Sequence, residues 1–257
     1  MNNYNYNEYE IEELTKCMDP VTGPEYFISK YFHVQHPIKG QVLFNPYGFQ
    51  KDLIDTYVEN KFSINLISRQ MGKTATGVGY ILWYAMFNTD RTILIGSHNL
   101  NSATEILQRI LYAYDMLPDF LRTELNARNK QELSFENGCR ILVRAVTPGL
   151  VRGTAISLLY LDEFSYVKEG AACDAWMSIQ PALDGSIGSV IINSSFNDQS
   201  NYFDVIWNDA CHLRNNFMPL DVTWHSHPDH RNPVWATQTK EIIGEKRFSV
   251  EYENRVG

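Results

Sequence analysis

Ser68-Arg69-Gln70-Met71-Gly72-Lys73-Thr74 lies between the apolar run Phe62-Ser63-Ile64-Asn65-Leu66-Ile67 and a stretch of helical character, Ala75-Thr76-Gly77-Val78-Gly79-Tyr80-Ile81-Leu82-Trp83-Tyr84-Ala85-Met86-Phe87. Strand, turn and helix in that order are the setting in which backbone N–H groups wrap a polyphosphate and the helix N-terminus adds partial positive charge. Gly72 lets the backbone approach closely, Lys73 can reach the outer phosphates, and the Thr74 hydroxyl can ligate Mg2+. Ile67 stands where the common form of such a loop has its first glycine. Gly-Lys-Thr by itself also fits a plain helix start with an exposed lysine, so the reading needs a second half.

Ile156-Ser157-Leu158-Leu159-Tyr160-Leu161 supplies it: a buried-strand pattern ending in Asp162-Glu163. An acidic pair at the carboxyl end of an interior strand is costly to bury unless positive charge sits opposite. A Mg2+ held by Thr74 and Asp162 would supply that charge, with Glu163 facing an attacking water as general base.

Length and composition frame this site. The chain has 257 residues, 44% hydrophobic, 13% aromatic and 20% charged, which suits one large α/β domain with a small appendage. The polar start Met1-Asn2-Asn3-Tyr4-Asn5-Tyr6-Asn7 has no signal-peptide pattern and no apolar run approaches membrane length, so a soluble, intracellular protein is expected. Cys17, Cys139, Cys173 and Cys211 are scattered and read as buried free thiols. A net charge of −8 disfavours a surface that binds nucleic acid by bulk electrostatics; contact with DNA would be confined to a patch or depend on assembly.

Working outward from the loop, the segment 1–24 reads as a short flexible start with one helix near 11–17, followed by an amphipathic helix over 25–32 that His36-Pro37-Ile38-Lys39-Gly40 breaks. Phe49-Gln50 opens a helix just before the loop's strand, and a glutamine there can donate to and accept from an adenine edge. Downstream, the pattern predicts a strand over 91–97, a helix over 101–116, and a hairpin whose strands flank Glu136-Asn137-Gly138. Arg152 projects from the turn-rich loop Thr147-Pro148-Gly149-Leu150-Val151-Arg152-Gly153, either into solvent or toward a neighbouring subunit's nucleotide. A helix over 171–183, stopped by Asp184-Gly185, leads to a strand over 188–195. That strand ends in Ser194-Ser195, placed to sense a γ-phosphate and relay its loss. A helix over 202–212 and a strand over 217–224 continue the alternation, which predicts a mostly parallel, three-layer α/β/α sandwich of P-loop NTPase type.

His225-Ser226-His227-Pro228-Asp229-His230 fits a His-x-His-x-Asp-His metal-ligand pattern, but the remaining residues hold no further His or Cys, which favours a surface loop. A helix stopped at Gly244 and a charged segment to Gly257 read as a small lid.

Over roughly residues 17–257 the chain resembles the N-terminal ATPase half of a tailed-bacteriophage large terminase of myovirus type. The likeness rests on Asp19-Pro20 with Tyr26-Phe27, Phe49-Gln50, Ser68-Arg69-Gln70-Met71-Gly72-Lys73-Thr74, Leu117-Pro118-Asp119-Phe120-Leu121, Val151-Arg152-Gly153, Tyr160-Leu161-Asp162-Glu163 and Ser194-Ser195-Phe196-Asn197. It implies an ASCE-type fold divided into an N-terminal segment packing with the lid (1–40), an ATPase core (41–218) and a lid or linker (219–257), followed in the family by a nuclease domain that this chain does not include. It further implies an ATP hydrolase that needs Mg2+, with Gln50 on adenine and Ser68 to Thr74 around the phosphates. Asp162 falls on the metal side, Glu163 is the base, and Ser194, Ser195 and Asn197 belong to a coupling motif in which Phe196 replaces the usual proline. Arg69 matches an arginine finger acting in cis and Arg152 one acting in trans. The partners implied are double-stranded DNA, a portal protein, a small terminase subunit and further copies of the chain in a ring of five, within the host cytoplasm. Two other readings compete: a helicase-like translocating ATPase, which would want a second such domain, and a nucleotide-regulated assembly module, which would not need Glu163.

Overall fold

The computed structural model describes residues 5–183, 185, 187–199 and 201–256. Helix α1 (Glu8–Met18) begins at Asn7, whose side chain accepts from the Glu10 N–H while the Glu10 carboxylate accepts from the Asn7 N–H. α2 (Gly23–Tyr31) follows, then a two-stranded antiparallel hairpin of β1 (His33–His36) and β2 (Gly40–Leu43), then α3 (Gly48–Glu59). The core continues as β3 (Phe62–Ile67), α4 (Lys73–Phe87), β4 (Thr92–Ser97), α5 (Leu100–Asp115), β5 (Leu125–Arg128), β6 (Glu132–Phe135), β7 (Arg140–Ala145) and β8 (Ile156–Asp162). It ends with α6 (Glu169–Ile179), β9 (Ile187–Ser194), α7 (Tyr202–Cys211), β10 (Met218–Val222), α8 (Pro233–Ile243) and α9 (Glu245–Tyr252).

Eight of the strands form one sheet in the order β10-β3-β9-β8-β4-β7-β6-β5. All pairings from β10 through β7 are parallel; β5 and β6 add an antiparallel edge. Side-chain alternation assigns each strand to two cores. Leu158 and Tyr160 of β8 face the core built by α2 to α5, and Leu159 and Leu161 face the one built by α6 and α7. Covering both faces explains why β3, β8 and β9 read as nearly unbroken apolar runs. The three-layer parallel fold expected from the alternation is the fold observed. Trp224, Ala236 and Phe248 give α8 and α9 a small core of their own.

The Asn137-Gly138 turn joins β6 to β7, with Gly138 at φ 80°, and the Asn137 amide also donates to Ala85 O and Asn88 O at the end of α4. Elsewhere the elements depart from expectation. The segment read as a break around residues 36–40 is the turn of the β1–β2 hairpin, closed by Gly40 at φ 69° and by His36 Nδ1 accepting from the Ile38 and Lys39 N–H groups. α6 stops at Ile179 rather than 183 because Pro181 cannot continue it; Asp184, read as its stop, lies outside the described residues. Only Cys17 and Cys139 are buried thiols; Cys173 is half-buried and Cys211 exposed, since its side of α7 faces away from the core. From Glu8 onward the N-terminal segment is anchored: α1 packs on α2, and the Cys17 carbonyl accepts from the Trp83 indole of α4 at 2.7 Å; residues 1–4 of the expected flexible start lie outside the described residues. No described helix is long and apolar enough to cross a membrane.

Candidate active site

Parallel pairing brings the carboxyl ends of β3, β9, β8 and β4 to one edge of the sheet, and the chemistry collects there. β3 runs into the 68–72 loop with Ile67 as its last strand residue, packed in the core and not in the left-handed region that would call for glycine. The loop then turns through Gln70 at φ 62° and Gly72 at φ 74° before α4 begins at Lys73. Gln70 is not glycine, so its left-handed backbone is a strained conformation of the kind found where function fixes a loop. Gly72 has a second reason to be bare: a Cβ there would lie 2.6 Å from Gln50 Nε2. The Gln50 amide is buried and spent on the loop, donating to Met71 O at 3.0 Å and accepting from the Tyr47 N–H at 2.9 Å. It therefore braces the loop from α3, whatever else it touches.

Lys73, Thr74, Asp162 and Glu163 converge. The Lys73 ammonium, 8% exposed, donates to Glu163 Oε1 at 2.7 Å and to Ser195 Oγ at 2.8 Å. Thr74 Oγ1 donates to Asp162 Oδ2 at 3.3 Å. Glu163 sits at φ 53°, ψ 44°, a strained position that costs about 1–3 kcal/mol. Its N–H bonds Asn193 O, and its Oε2 accepts from the Ser195 N–H at 3.3 Å. Burial pushes the Asp162 carboxyl up to about 6; the Lys73 charge opposes this and the Glu163 charge adds to it. A carboxylate and a hydroxyl facing each other, one of them short of positive charge, form a hard-oxygen donor set that fits Mg2+.

The remaining candidates fall around this centre. Ser68 is held from the far end of the chain: its N–H bonds Val222 O, its hydroxyl donates to Tyr252 O at 2.7 Å, and Asn254 Oδ1 lies 3.2 Å from that hydroxyl. The Asn254 amide also donates to Asp221 Oδ1 and Val222 O. Asn254, just past the last helix, gave no signal in the sequence because its contact with the loop, at Ser68, is nearly two hundred residues away. Arg69 pairs with Glu251 of α9, Nε to Oε2 at 2.9 Å, with its guanidinium 5.8 Å from the Tyr166 ring. Arg152 is exposed, with no side-chain partner among the described residues. Arg144 holds the Arg152 loop by donating to Leu150 O and Thr154 Oγ1. That loop leaves the sheet beside Asp162, since Ser97 is the register partner of both Ala145 and Asp162.

Ser194 and Asn197 do not point at Lys73 as Ser195 does; both grip Ser165, two residues after Glu163. Ser194 Oγ accepts from the Ser165 N–H and donates to Ser165 Oγ, and the Asn197 amide donates to Ser165 O. Ser165, 1% exposed, is thus a further site residue that its sequence context did not reveal. The 225–230 segment is a run of stacked rings, His227 on His230 at 4.2 Å and His230 on Trp235 at 3.9 Å. His227 also meets Tyr47 at 4.7 Å. Among the described residues no cluster of His, Cys, Asp or Glu is arranged to hold a metal by itself.

Residues 64–250 match the family profile described as terminase large subunit, T4likevirus-type, N-terminal. In fold, the chain is similar to the ATPase domain of the Thermus phage P74-26 large terminase, at 15% identity and TM-score 0.64 over 83% of this chain and 95% of that one. It is also similar to the large terminase of bacteriophage HK97, at 17% identity and TM-score 0.67 over 90% of this chain. A third likeness, TM-score 0.60 at 13% identity over 82% of this chain, is to the large terminase of a thermophilic bacteriophage in complex with ATP-gamma-S. The chain spans about half of the latter two, 54% and 53% of their length.

Proposed function

Because the chain belongs to the T4-like family of phage terminase large subunits, as an N-terminal domain, we propose that it is the ATPase of a viral DNA-packaging motor, hydrolysing ATP to move double-stranded DNA. The observation that supports this most directly is the meeting of Lys73 and Thr74 with Asp162 and Glu163 across two strand ends.

In this reading the 68–72 loop and the start of α4 bind the triphosphate, with Gln50 bracing the loop and bordering the adenine site. Lys73 exchanges its bond to Glu163 for phosphate oxygens, which leaves the Glu163 carboxylate free to take a proton from the attacking water. Thr74 and Asp162 would hold Mg2+, which supplies charge neutralisation on the phosphate oxygens. Ser195 touches both Lys73 and Glu163, so the tip of β9 senses the exchange; Ser194 and Asn197 pass it to the 163–166 turn through Ser165.

Arg69 and Arg152 divide the finger roles. Arg69 lies within the loop and acts in cis; Arg152, exposed on the same sheet edge, acts on the nucleotide of a neighbouring copy. The division of the chain into a 1–40 segment, a 41–218 core and a 219–257 lid follows the same reading. So do its partners, a portal protein, a small terminase subunit and further copies of the chain, together with the host cytoplasm as its place of work.

Steady-state phosphate release tests the proposal. Wild-type chain should turn over ATP, and Glu163→Gln should bind nucleotide with little or no turnover. Equal rates would leave a binding module instead.

A further inference from the structure

Beneath the site lies a buried column of amides and hydroxyls that phosphate binding does not require. Asn65 of β3 is the register partner of Asn193 of β9, which is in turn the partner of Asp162 of β8. Asn65, Asn193 and Tyr160 are each 0% exposed, so no water can exchange the roles of donor and acceptor along the line.

The direction of the hydrogen bonds can be followed. The Asn65 amide nitrogen donates to Ile192 O at 3.4 Å and to Asn193 Oδ1 at 2.9 Å. A main-chain carbonyl only accepts, so Ile192 fixes which end of the Asn65 amide faces it. Asn193 must then turn its oxygen to Asn65 and its nitrogen the other way, onto the Tyr57 hydroxyl at 2.6 Å and the Tyr160 hydroxyl at 3.1 Å. With Asn193 donating to it, the Tyr160 hydroxyl directs its own proton at Asp162 Oδ1, 3.2 Å away. Asn65 Oδ1 is left without a partner. Reversing both amides would only move the problem, setting the Asn65 oxygen against the Ile192 carbonyl. Helix α4 makes room for this hydroxyl: a Cβ on Gly77 would lie 2.3 Å from it.

We propose that Tyr160 is a positioning residue for the metal-binding carboxylate: a relay from Ile192 through Asn65 and Asn193 holds its hydroxyl on Asp162 Oδ1 and leaves Oδ2, the oxygen facing Thr74, for a divalent cation. The inference rests on Thr74 and Asp162 being the Mg2+ pair. It also gives β9 a second handle on the site, because Asn193 immediately precedes Ser194 and Ser195. A shift of that strand reaches the metal carboxylate through the Asn193 amide and the Tyr160 hydroxyl.

The test compares wild type, Tyr160→Phe, Tyr57→Phe and Asp162→Asn by calorimetric binding of ATP-gamma-S with Mg2+ and with EDTA, alongside turnover against Mg2+ concentration. Tyr160→Phe should keep the EDTA affinity and lose 10–100-fold of the gain that Mg2+ brings. It should need correspondingly more Mg2+ for half-maximal turnover, with KM for ATP unchanged at saturating Mg2+. Tyr57→Phe removes an equally buried hydrogen bond from the same amide and should keep the wild-type Mg2+ dependence. Asp162→Asn should abolish the Mg2+ gain. The relay is overturned if Tyr160→Phe shows wild-type Mg2+ dependence, if it loses affinity equally in EDTA, or if Tyr57→Phe matches it. A wild-type affinity that ignores Mg2+, with Asp162→Asn no different, would overturn the magnesium reading and the relay with it.

Discussion

Glu13 on α1 and Asp162 at the tip of β8 are carboxylates shut away from solvent, 2% and 6% exposed, and the molecule treats them in opposite ways. Burial pushes Glu13 up, but Lys30 at 2.5 Å, the Tyr31 hydroxyl and the Tyr26 hydroxyl at 2.8 Å outweigh it and hold the group down to about 2. At Asp162 burial wins and the group rises to about 6, because the nearest ammonium, Lys73, is bonded to Glu163. Glu13 is satisfied entirely from within the chain, and its work is to lock α1 to α2. Asp162 is left short of positive charge at a place where a ligand can bring it. Burial alone therefore does not separate a structural acid from a functional one; the completeness of its partners does.

If that contrast holds, substitutions at the two sites should fail in different ways. The largest effect is expected from Glu163→Gln, which should lower turnover about 10²–10⁴-fold while leaving the urea midpoint near that of wild type. Glu13→Ala should do the reverse. Leaving Tyr26, Tyr31 and Lys30 without their shared acceptor should cost about 2–4 kcal/mol in urea unfolding, with KM for ATP unchanged. Gln50→Ala stands between the two regions, since it removes the brace on Met71 O. Weaker ATP-gamma-S binding by about 10-fold, with little change in folding stability, would place its role at the loop.

The parallel sheet and the meeting of the two strand ends were legible because each rests on local pattern: apolar runs covered on both faces, a Gly-Lys-Thr turn, an acidic pair at a strand tip. The Asn137-Gly138 hairpin was legible for the same reason. What escaped depends on contacts distant in sequence. Glu13 looks like a solvated helix residue until Lys30, Tyr26 and Tyr31 are brought over it. Asn254 and Glu251 carry no motif, yet they anchor Ser68 and Arg69. The β1–β2 hairpin hid behind a Pro-Gly segment read as a break, and β5 escaped because four residues, though alternating, are too few to stand out. Gln50 was legible as a residue of interest, but its engagement with the loop backbone depends on the fold setting α3 against Met71, twenty-one residues on.

The sign of the stability change with pH separates the two acids. A group lowered in the fold, like Glu13, contributes stability above the ordinary carboxylate value and loses it as pH falls toward about 2. A group raised in the fold, like Asp162, contributes stability at pH below its ordinary value of 3.8 and loses it as pH rises through about 6. The most direct measurement is thus the unfolding free energy of Asp162→Asn against wild type, in EDTA, from pH 4 to pH 8. The variant should be the more stable protein at pH 8, by about 2–3 kcal/mol, and that advantage should vanish as pH approaches 4. A variant less stable than wild type at pH 8, or one whose difference does not change with pH, would contradict the claim that Asp162 is held short of charge for a cation.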